Sequence, residues 1–232
     1  MTVIPWPLNP VAPSEPASAE KQASAACVLT AEDVASMAAA LIQSRQTILP
    51  KRLGAPGPTA AQLLQIVGAA AHAPDHGQLL PWRFVLVPEA ARKPLADVFA
   101  QALLERDPAA TPEQMEQARE KAYRSPVLML AVVDALRGDA DIDLAERTVS
   151  AGCAVQNMLL MATALGYGSS LTSGKALKSG CLRALFELTA SEQALCFISI
   201  GTVQSRKSVR MRPAAQAYVS TLDATRGVIP GF

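Results

Sequence analysis

"TVSAGCAVQNMLLMATALGYGSSLTSG" (residues 148–174) is the longest part of the chain without a charged side chain. Its apolar portion approaches the length that spans a bilayer, but Gln156 and Asn157 lie side by side in its middle. Polar residues at that depth of a membrane are costly. A helix that is apolar on most faces and rich in Ala and Gly is instead typical of one buried between other helices. The stretch therefore predicts a helix over about 148–165, buried in the core or between two subunits.

Patterns on both sides of this helix predict further elements. Thr30 and Thr59 precede helical patterns and are candidate N-caps, and Pro74 ends the second of these helices. Helical patterns fill the intervals between short apolar runs, whereas "GYGSSLTSG" (166–174) is predicted as a Gly/Ser/Thr loop. The apolar runs predict buried strands at 82–88, 126–134 and 194–203. Strands separated by helices indicate a layered α/β or α+β domain.

Composition and charge limit the class of protein. Half of the 232 residues are hydrophobic, only 4% are aromatic, and the formal net charge is +1. This balance offers no basic surface, so we expect neither nucleic acid nor a membrane as a partner. Residues 1–29 are rich in Pro, Ala and Ser and lack the basic start of a signal peptide, which predicts a poorly ordered arm. One domain is expected over 30–207, followed by a C-terminal extension over 208–232.

The cysteines predict a reducing environment. Cys27, Cys153, Cys181 and Cys196 form no CxxC pair and have no metal-ligand spacing. Three of them lie in apolar or helical stretches, where a reduced cysteine packs as a small hydrophobic residue. We therefore expect a cytoplasmic protein.

Both histidines of the chain lie in "HAPDHGQLLPW" (72–82), four residues apart. This spacing allows two imidazoles on one helix to share a metal, but Pro74 between them interrupts a helix and no cluster of other ligands is near in sequence. We therefore expect no metal. An acid–base pair remains open, although no nucleophile motif accompanies it. A polar turn whose imidazoles satisfy local backbone groups is the third interpretation.

Two basic segments are candidate phosphate sites. Arg45, Lys51 and Arg52 follow the first predicted helix together with Gln46 and Thr47, and such side chains can hold a phosphate. Basic residues at a helix end also suit the helix macrodipole, so this signal is weak by itself. Arg206 and Lys207 follow the last predicted strand and offer a second contact. No GxGxxG motif follows a strand, so a Rossmann dinucleotide site is not indicated.

The order of these segments is similar to that of the nitroreductase family, and to its compact NAD(P)H nitroreductase branch in particular. The residues that carry the resemblance are the basic Arg-x-Thr element, "APDHGQLLPWRFVLV", "SAGCAVQNMLLMATALGYGSSLTSG" and "SIGT", over about 33–207. The resemblance implies an α+β fold with a central antiparallel or mixed sheet flanked by helices. It also implies a homodimer with FMN bound at two sites in the dimer interface, and NADH or NADPH as electron donor.

Carried over by position, the resemblance implies which residues contact the cofactor. Arg45, Gln46 and Thr47 match the Arg-x-Ser element at the flavin phosphate and ribityl chain. His72 and His76 match positions of the compact branch that contact FMN.

Two further stretches are implied by the same resemblance. Leu171, Thr172 and Ser173 match the loop that touches the isoalloxazine from the other subunit. The resemblance also assigns a nicotinamide-nucleotide contact to Met161, Ala162, Thr163, Ala164, Leu165 and Gly166.

The function this implies is hydride transfer from NAD(P)H through FMN to a small electron-poor acceptor, such as a nitroaromatic compound or a quinone. The cofactor carries the chemistry, so no side chain is assigned as catalytic. Two alternatives stay open: a specialised flavin-dependent dehydrogenase on the same scaffold, and a flavin-binding dimer without turnover.

Overall fold

The computed structural model describes residues 29–208 and 210–231. Its helices are α1 (Ala31–Ser44), α2 (Ala60–Gly68), α3 (Arg92–Arg106), α4 (Pro112–Glu120), α5 (Leu144–Ala164) and α6 (Gly180–Leu185). Its strands are β1 (Leu53–Gly54), β2 (Trp82–Leu86), β3 (Val127–Asp134), β4 (Gly168–Thr172), β5 (Glu192–Val203), β6 (Ser220–Asp223) and β7 (Gly227–Pro230). The expected helix starts at Thr30 and Thr59 are confirmed, since each threonine forms a capping box.

The central sheet has the order β1-β5-β3-β2, and β4 pairs with β5. Every one of these strand pairs is antiparallel. A parallel bridge from Thr47 to Ser169 adds the segment after α1 to β4, which makes the sheet mixed. The antiparallel or mixed sheet flanked by helices confirms the predicted α+β class.

Alternate residues of β3 build a core on each face of the sheet. Val127, Met129, Ala131 and Val133 pack under α2 and α5, and Leu128, Leu130 and Val132 pack under α3 and α6. Because successive side chains of a strand point to opposite faces, a strand that is apolar at every position must be covered on both sides. We call the two sides the α5 face and the α3 face.

Three local predictions need correction. The stretch 166–174 was expected to be a loop, but it contains strand β4, held by its register with β5 from Gly168↔Gly201 to Thr172↔Phe197. The helix expected over 148–165 begins earlier, at Leu144, where Asp143 caps it. The helical pattern after Thr59 leaves the α-helix at Gly68 and continues as a 3-10 turn to His72.

The expected N-terminal arm lies outside the described residues apart from Leu29. The C-terminal extension carries the hairpin β6–β7, which the sequence had not predicted. Within the described ranges, no helix combines the length and apolar character that crossing a bilayer requires.

One face of α5 is buried within the subunit and the other is exposed. Ala154, Met158 and Ala162 are fully buried against the sheet. Val149 is 66% exposed, and Gly152 on the same side has no atom within 4 Å of where a Cβ would be. The inner side of α5 is therefore buried within one subunit, as expected for part of the helix. Its outer side is exposed.

Helix α1 also leaves apolar side chains uncovered. It contains no buried residue, and Val34, Met37 and Ile42 are each more than half exposed. Large apolar side chains exposed together on a helix that contacts α5 are typical of a surface that another chain covers.

Candidate active site

A cavity of about 660 Å³ opens on the α3 face of the sheet. Its apolar floor consists of Phe99 and Leu103 from α3, Leu128 from β3, Phe197 from β5, and Leu177. Phe99 and Phe197 meet edge to face with their ring centroids 5.5 Å apart. A concave apolar floor of this size is typical of a small-molecule site.

Five cationic side chains surround this floor. We call them the cation rim: Lys51, Arg106, Lys121, Arg124 and Lys175. Among the described residues, no carboxylate lines the cavity. An apolar floor with a basic rim fits a flat aromatic ligand that carries negative charge.

Strand β4 and the segment before it form one wall of the cavity. Ile48 donates its backbone N–H to the carbonyl oxygen of Ser169 at 2.9 Å, and the chain then runs through Leu49 and Lys51 into the cavity wall. Thr172 and Ser173 at the end of β4 line the same cavity. The tertiary fold therefore brings Thr47 of the predicted Arg-x-Thr element beside Ser169 of β4, and the end of the same strand lines the cavity. Arg45, Gln46 and Thr47 are not themselves lining residues.

Two buried hydroxyls in β4 lack a partner. Ser169 and Ser170 are each 2% exposed, and their Oγ atoms make no hydrogen bond within the described part of the chain. Ser170 pairs across the sheet with Ser199, which lines the cavity, so the Ser170 side chain points to the cavity side. Buried polar atoms normally find partners, and a polar ligand in the cavity would offer one to Ser170.

The segment with both histidines lies on the other face of the sheet. His76 Nδ1 contacts Glu146 Oε1 at 2.5 Å, in the first turn of α5. The turn around it is unusual, because Gly77, Gln78 and Leu80 all have positive φ angles. Non-glycine residues with positive φ are uncommon and cluster at functional sites. The imidazoles of His72 and His76 are exposed and lie on separate short turns.

A buried arginine supports this turn from below. Arg147 is 1% exposed and donates from its guanidinium to the backbone carbonyls of Ile142, Arg137, Asp139 and Asp134. The loop held in this way carries Ile142, against which Gly77 packs, and Gly138, against which Leu79 packs. Arg147 therefore fixes the surface on which the histidine turn rests.

The predicted cofactor residues fall into two groups that one subunit does not bring together. His76 lies at the N-terminal end of α5, and Thr47 pairs with Ser169, just after the C-terminal end. The helix has 21 residues and is about 30 Å long. The histidine turn is also on the α5 face, opposite the cavity. No single ligand in one subunit would contact both groups.

Several predicted residues lie away from the cavity. Leu171 pairs with Ile198 and is 42% exposed, with its side chain on the α5 face. Arg206 and Lys207 are exposed beyond the end of β5. In the predicted nucleotide-binding stretch Met161 to Gly166, Ala162 is fully buried in the core, whereas Ala164 and Gly166 are exposed. The methyl group of Ala162 therefore packs inside the subunit.

Four rim residues were missed from the sequence. Arg106, Lys121, Arg124 and Lys175 come from three separate segments of the chain, and each looks like an ordinary surface cation in its own helix or turn. The one available signal was a basic residue at a helix end. That signal is shared by many helices that bind nothing.

The described cysteines are free thiols, and one of them is a poor nucleophile. Burial raises the pKa of the Cys196 thiol to about 11. Because the thiolate is the reactive form, this cysteine stays protonated and inert at neutral pH.

The fold is α+β with a cavity that has an apolar floor and a basic rim, and comparison with known proteins gives the family. The model of the Nitroreductase family matches residues 42–202. "Putative NAD(P)H nitroreductase YdjA" of Escherichia coli (strain K12) is 31% identical over 157 residues, covering 68% of this chain and 84% of that protein. The chain belongs to the nitroreductase family, a family of oxidoreductase enzymes.

Solved structures agree on the fold. A nitroreductase-like family protein from Bacillus cereus superposes with a TM-score of 0.69 at 17% identity, covering 80% of this chain and 95% of that one. A nitroreductase from Desulfovibrio desulfuricans, solved in complex with FMN, superposes with a TM-score of 0.60 at 23% identity, covering 78% and 94%. At these identities the likeness supports the fold alone.

Proposed function

We propose that this protein is an FMN-dependent NAD(P)H oxidoreductase that reduces nitroaromatic, quinone or similar electron-poor acceptors. Donor and acceptor take turns at the same flavin face, in a ping-pong sequence. The observation that carries the proposal is the cavity on the α3 face, with its apolar floor and cation rim. The FMN in the Desulfovibrio structure and the NAD(P)H in the name of the Escherichia coli relative give the chemical class.

The residues present fit FMN. Its flat ring system suits the floor of Phe99, Leu103, Leu128 and Phe197, and its phosphate suits the rim. The Ser170 hydroxyl, which has no partner in the described part of the chain, is on the cavity side of β4 and is a candidate hydrogen-bond donor to the polar edge of the ring. The cavity volume of about 660 Å³ lies within the usual range for such ligands.

Bound FMN would supply the hydride chemistry: for a nitro group, R–NO2 + NAD(P)H + H+ gives R–NO + NAD(P)+ + H2O. The protein binds and orients the reactants. The apolar floor excludes water from one side, and the rim offsets negative charge. The additional proton comes from solvent, which reaches the cavity from its open side, so no side chain is required as a general acid.

We propose a homodimer in which each site draws on both subunits. One subunit contributes Arg45, Gln46 and Thr47. The resemblance implied that the 171–173 loop comes from the other subunit, but we assign Thr172 and Ser173 to the same subunit as Thr47, because Thr47 bridges to Ser169 of the same strand β4. The partner contributes its histidine turn. The separation of these two groups in one subunit and the exposed apolar sides of α1 and α5 support this arrangement.

Three further parts of the chain complete the proposed site. Arg206 and Lys207 reach the phosphate, and the stretch from Met161 to Gly166 contacts the nucleotide, with Ala164 and Gly166 on its exposed side. Leu171 faces the partner across the interface. We also propose the division into an arm (1–29), a flavin-binding domain (30–207) and an extension (208–232), in a cytoplasmic enzyme whose free cysteines suit a reducing compartment.

Purified protein is expected to be yellow and to release about one FMN per chain on denaturation. An acceptor screen separates a nitroreductase from a specialised dehydrogenase, because only the former turns over nitroaromatics with NAD(P)H. Stopped-flow mixing with NADH or NADPH separates both from a flavin-binding dimer without turnover. A protein that stays colourless and cannot be loaded with FMN contradicts the whole proposal.

Arg45→Ala is expected to weaken FMN binding by about 10- to 150-fold, the range for a lost charge-assisted hydrogen bond. Arg45 is half-buried beside the segment that joins β4. Fluorescence quenching of FMN gives the dissociation constant. Arg137→Ala, at an exposed arginine of the 135–142 loop, is the control and should bind FMN as the wild type does. Unchanged affinity in Arg45→Ala, with an intact fold, would refute the assignment.

The same variant tests whether the site is shared. Arg45→Ala and His76→Ala are each expected to lose flavin as homodimers. When the two chains are co-expressed, a mixed dimer has one site with both changes and one with neither, so it should hold one tightly bound FMN. Mixed dimers without any tight site would show that both residues serve the same subunit's flavin.

A further inference from the structure

The cation rim carries more positive charge than its protein surroundings balance. Arg124 approaches Glu120 at 3.7 Å. Lys51, Arg106, Lys121 and Lys175 have no carboxylate within 4 Å in the described part of the chain. The cavity lining, over the residues that the structure describes, contributes no acidic side chain either. Like charges around one opening repel each other, so the arrangement is favourable mainly when an anion is bound.

The phosphate of FMN does not account for the whole rim. A phosphate monoester carries about −1.5 to −2 charge at neutral pH, against five cations. In the proposed site, Arg45 also neutralises part of the phosphate charge, and Arg45 is not a rim residue. Cations therefore remain for a second anionic group.

The positions of two rim residues suggest where that group binds. Arg106 is the last residue of α3, one turn beyond Leu103 of the floor. Lys175 follows Thr172 and Ser173 at the end of β4. Both side chains are exposed at the edge of the cavity, where a substituent would project from a ring that lies on the floor.

We propose that Arg106 and Lys175 select a second ligand that carries an anionic group: an acceptor with a carboxylate on its aromatic ring, in preference to a neutral one. The 2′-phosphate of NADPH offers the same chemistry from the donor side. This inference rests on the proposed function, since it concerns the ligands that alternate at the flavin.

The test compares two acceptors of nearly equal shape in the FMN-loaded dimer. We expect kcat/KM for 4-nitrobenzoate to exceed that for 4-nitrobenzamide by about tenfold or more. The preference should shrink in about 0.5 M NaCl, because salt screens exposed charges. In Arg106→Gln/Lys175→Gln the ratio should fall to within about twofold of one. Lys178→Gln, an exposed neighbour outside the cavity, is the matched control and should keep the wild-type ratio.

The NADPH/NADH ratio of kcat/KM, measured on the same variants, identifies the source of the anion. If the NADPH/NADH ratio falls in Arg106→Gln/Lys175→Gln, the two residues bind the 2′-phosphate of NADPH. That result supports the proposed selection of a second anionic ligand. If neither ratio changes and only FMN affinity drops, the rim serves the cofactor phosphate alone and the inference is overturned. The inference is also overturned if the wild-type enzyme has equal kcat/KM values for the two acceptors and equal kcat/KM values for NADPH and NADH. That result requires no variant. Failure to reduce any acceptor would instead contradict the proposed function.

Discussion

Gly152→Arg is expected to give a folded monomer that does not retain FMN. Gly152 lies on the exposed side of α5. A Cβ built at this position would have no neighbouring atom of its own subunit within 4 Å. Arginine also favours a helix over glycine by about 1 kcal/mol, so the protomer should not lose stability. A long charged side chain would instead prevent close approach of the partner, and with it the half of each site that the partner supplies.

A second substitution on the same helix separates assembly from folding. Ala154, two residues later, is fully buried, so Ala154→Arg should unfold the subunit by placing a charge in the core. Gly152 is exposed and Ala154 is buried, so Gly152 is the position that tests assembly without disturbing the core.

Sedimentation, circular dichroism and flavin content of Gly152→Arg decide the outcome. Gly180→Arg is the matched control, because Gly180 is exposed and also has open space around it, but lies on α6. It should remain a flavin-bound dimer. A Gly152→Arg protein that sediments as the wild-type dimer with full FMN would exclude this face as the interface, and a wild-type monomer that binds FMN would exclude the shared site.

Arg147→Ala is expected to lower the free energy of unfolding by about 3–5 kcal/mol. The arginine is fully buried, and its guanidinium donates to four backbone carbonyls, among them Ile142 at 2.8 Å and Arg137 at 2.6 Å. Removing it leaves buried acceptors without a donor and opens a cavity. The loop under the histidine turn should loosen, so FMN affinity should fall together with stability.

Urea unfolding of the apo-protein measures the change in stability without contributions from the cofactor. Arg147→Lys restores the charge but not the planar fork that reaches several carbonyls, so it should recover only part of the loss. Arg137→Ala removes an exposed guanidinium from the same loop and should change stability by less than about 0.5 kcal/mol. A loss below about 1 kcal/mol in Arg147→Ala would mean that water replaces the guanidinium.

Local sequence determined the elements whose signals are local. The capping boxes at Thr30 and Thr59 satisfy helix N-terminal donors within three residues of the threonine, so their positions can be read directly. The apolar runs of β3 and β5 predict buried strands because a continuous apolar strand must be covered on both faces. The order of the motifs was also sufficient for the family, since family resemblance depends on sequence order.

Tertiary structure alone decided β4, the cavity and the separation of the two groups of site residues. "GSSLT" has no apolar alternation, and it becomes a strand because β5 and the segment at Thr47 offer hydrogen-bonding edges on its two sides. The cation rim joins residues as far apart as Lys51 and Lys175, and Glu146 meets His76 across 70 positions. Such contacts depend on how the helices pack against the sheet. The hydrophobic periodicity of a short sequence segment does not predict that packing, because each of these side chains looks like an ordinary surface residue in its own segment.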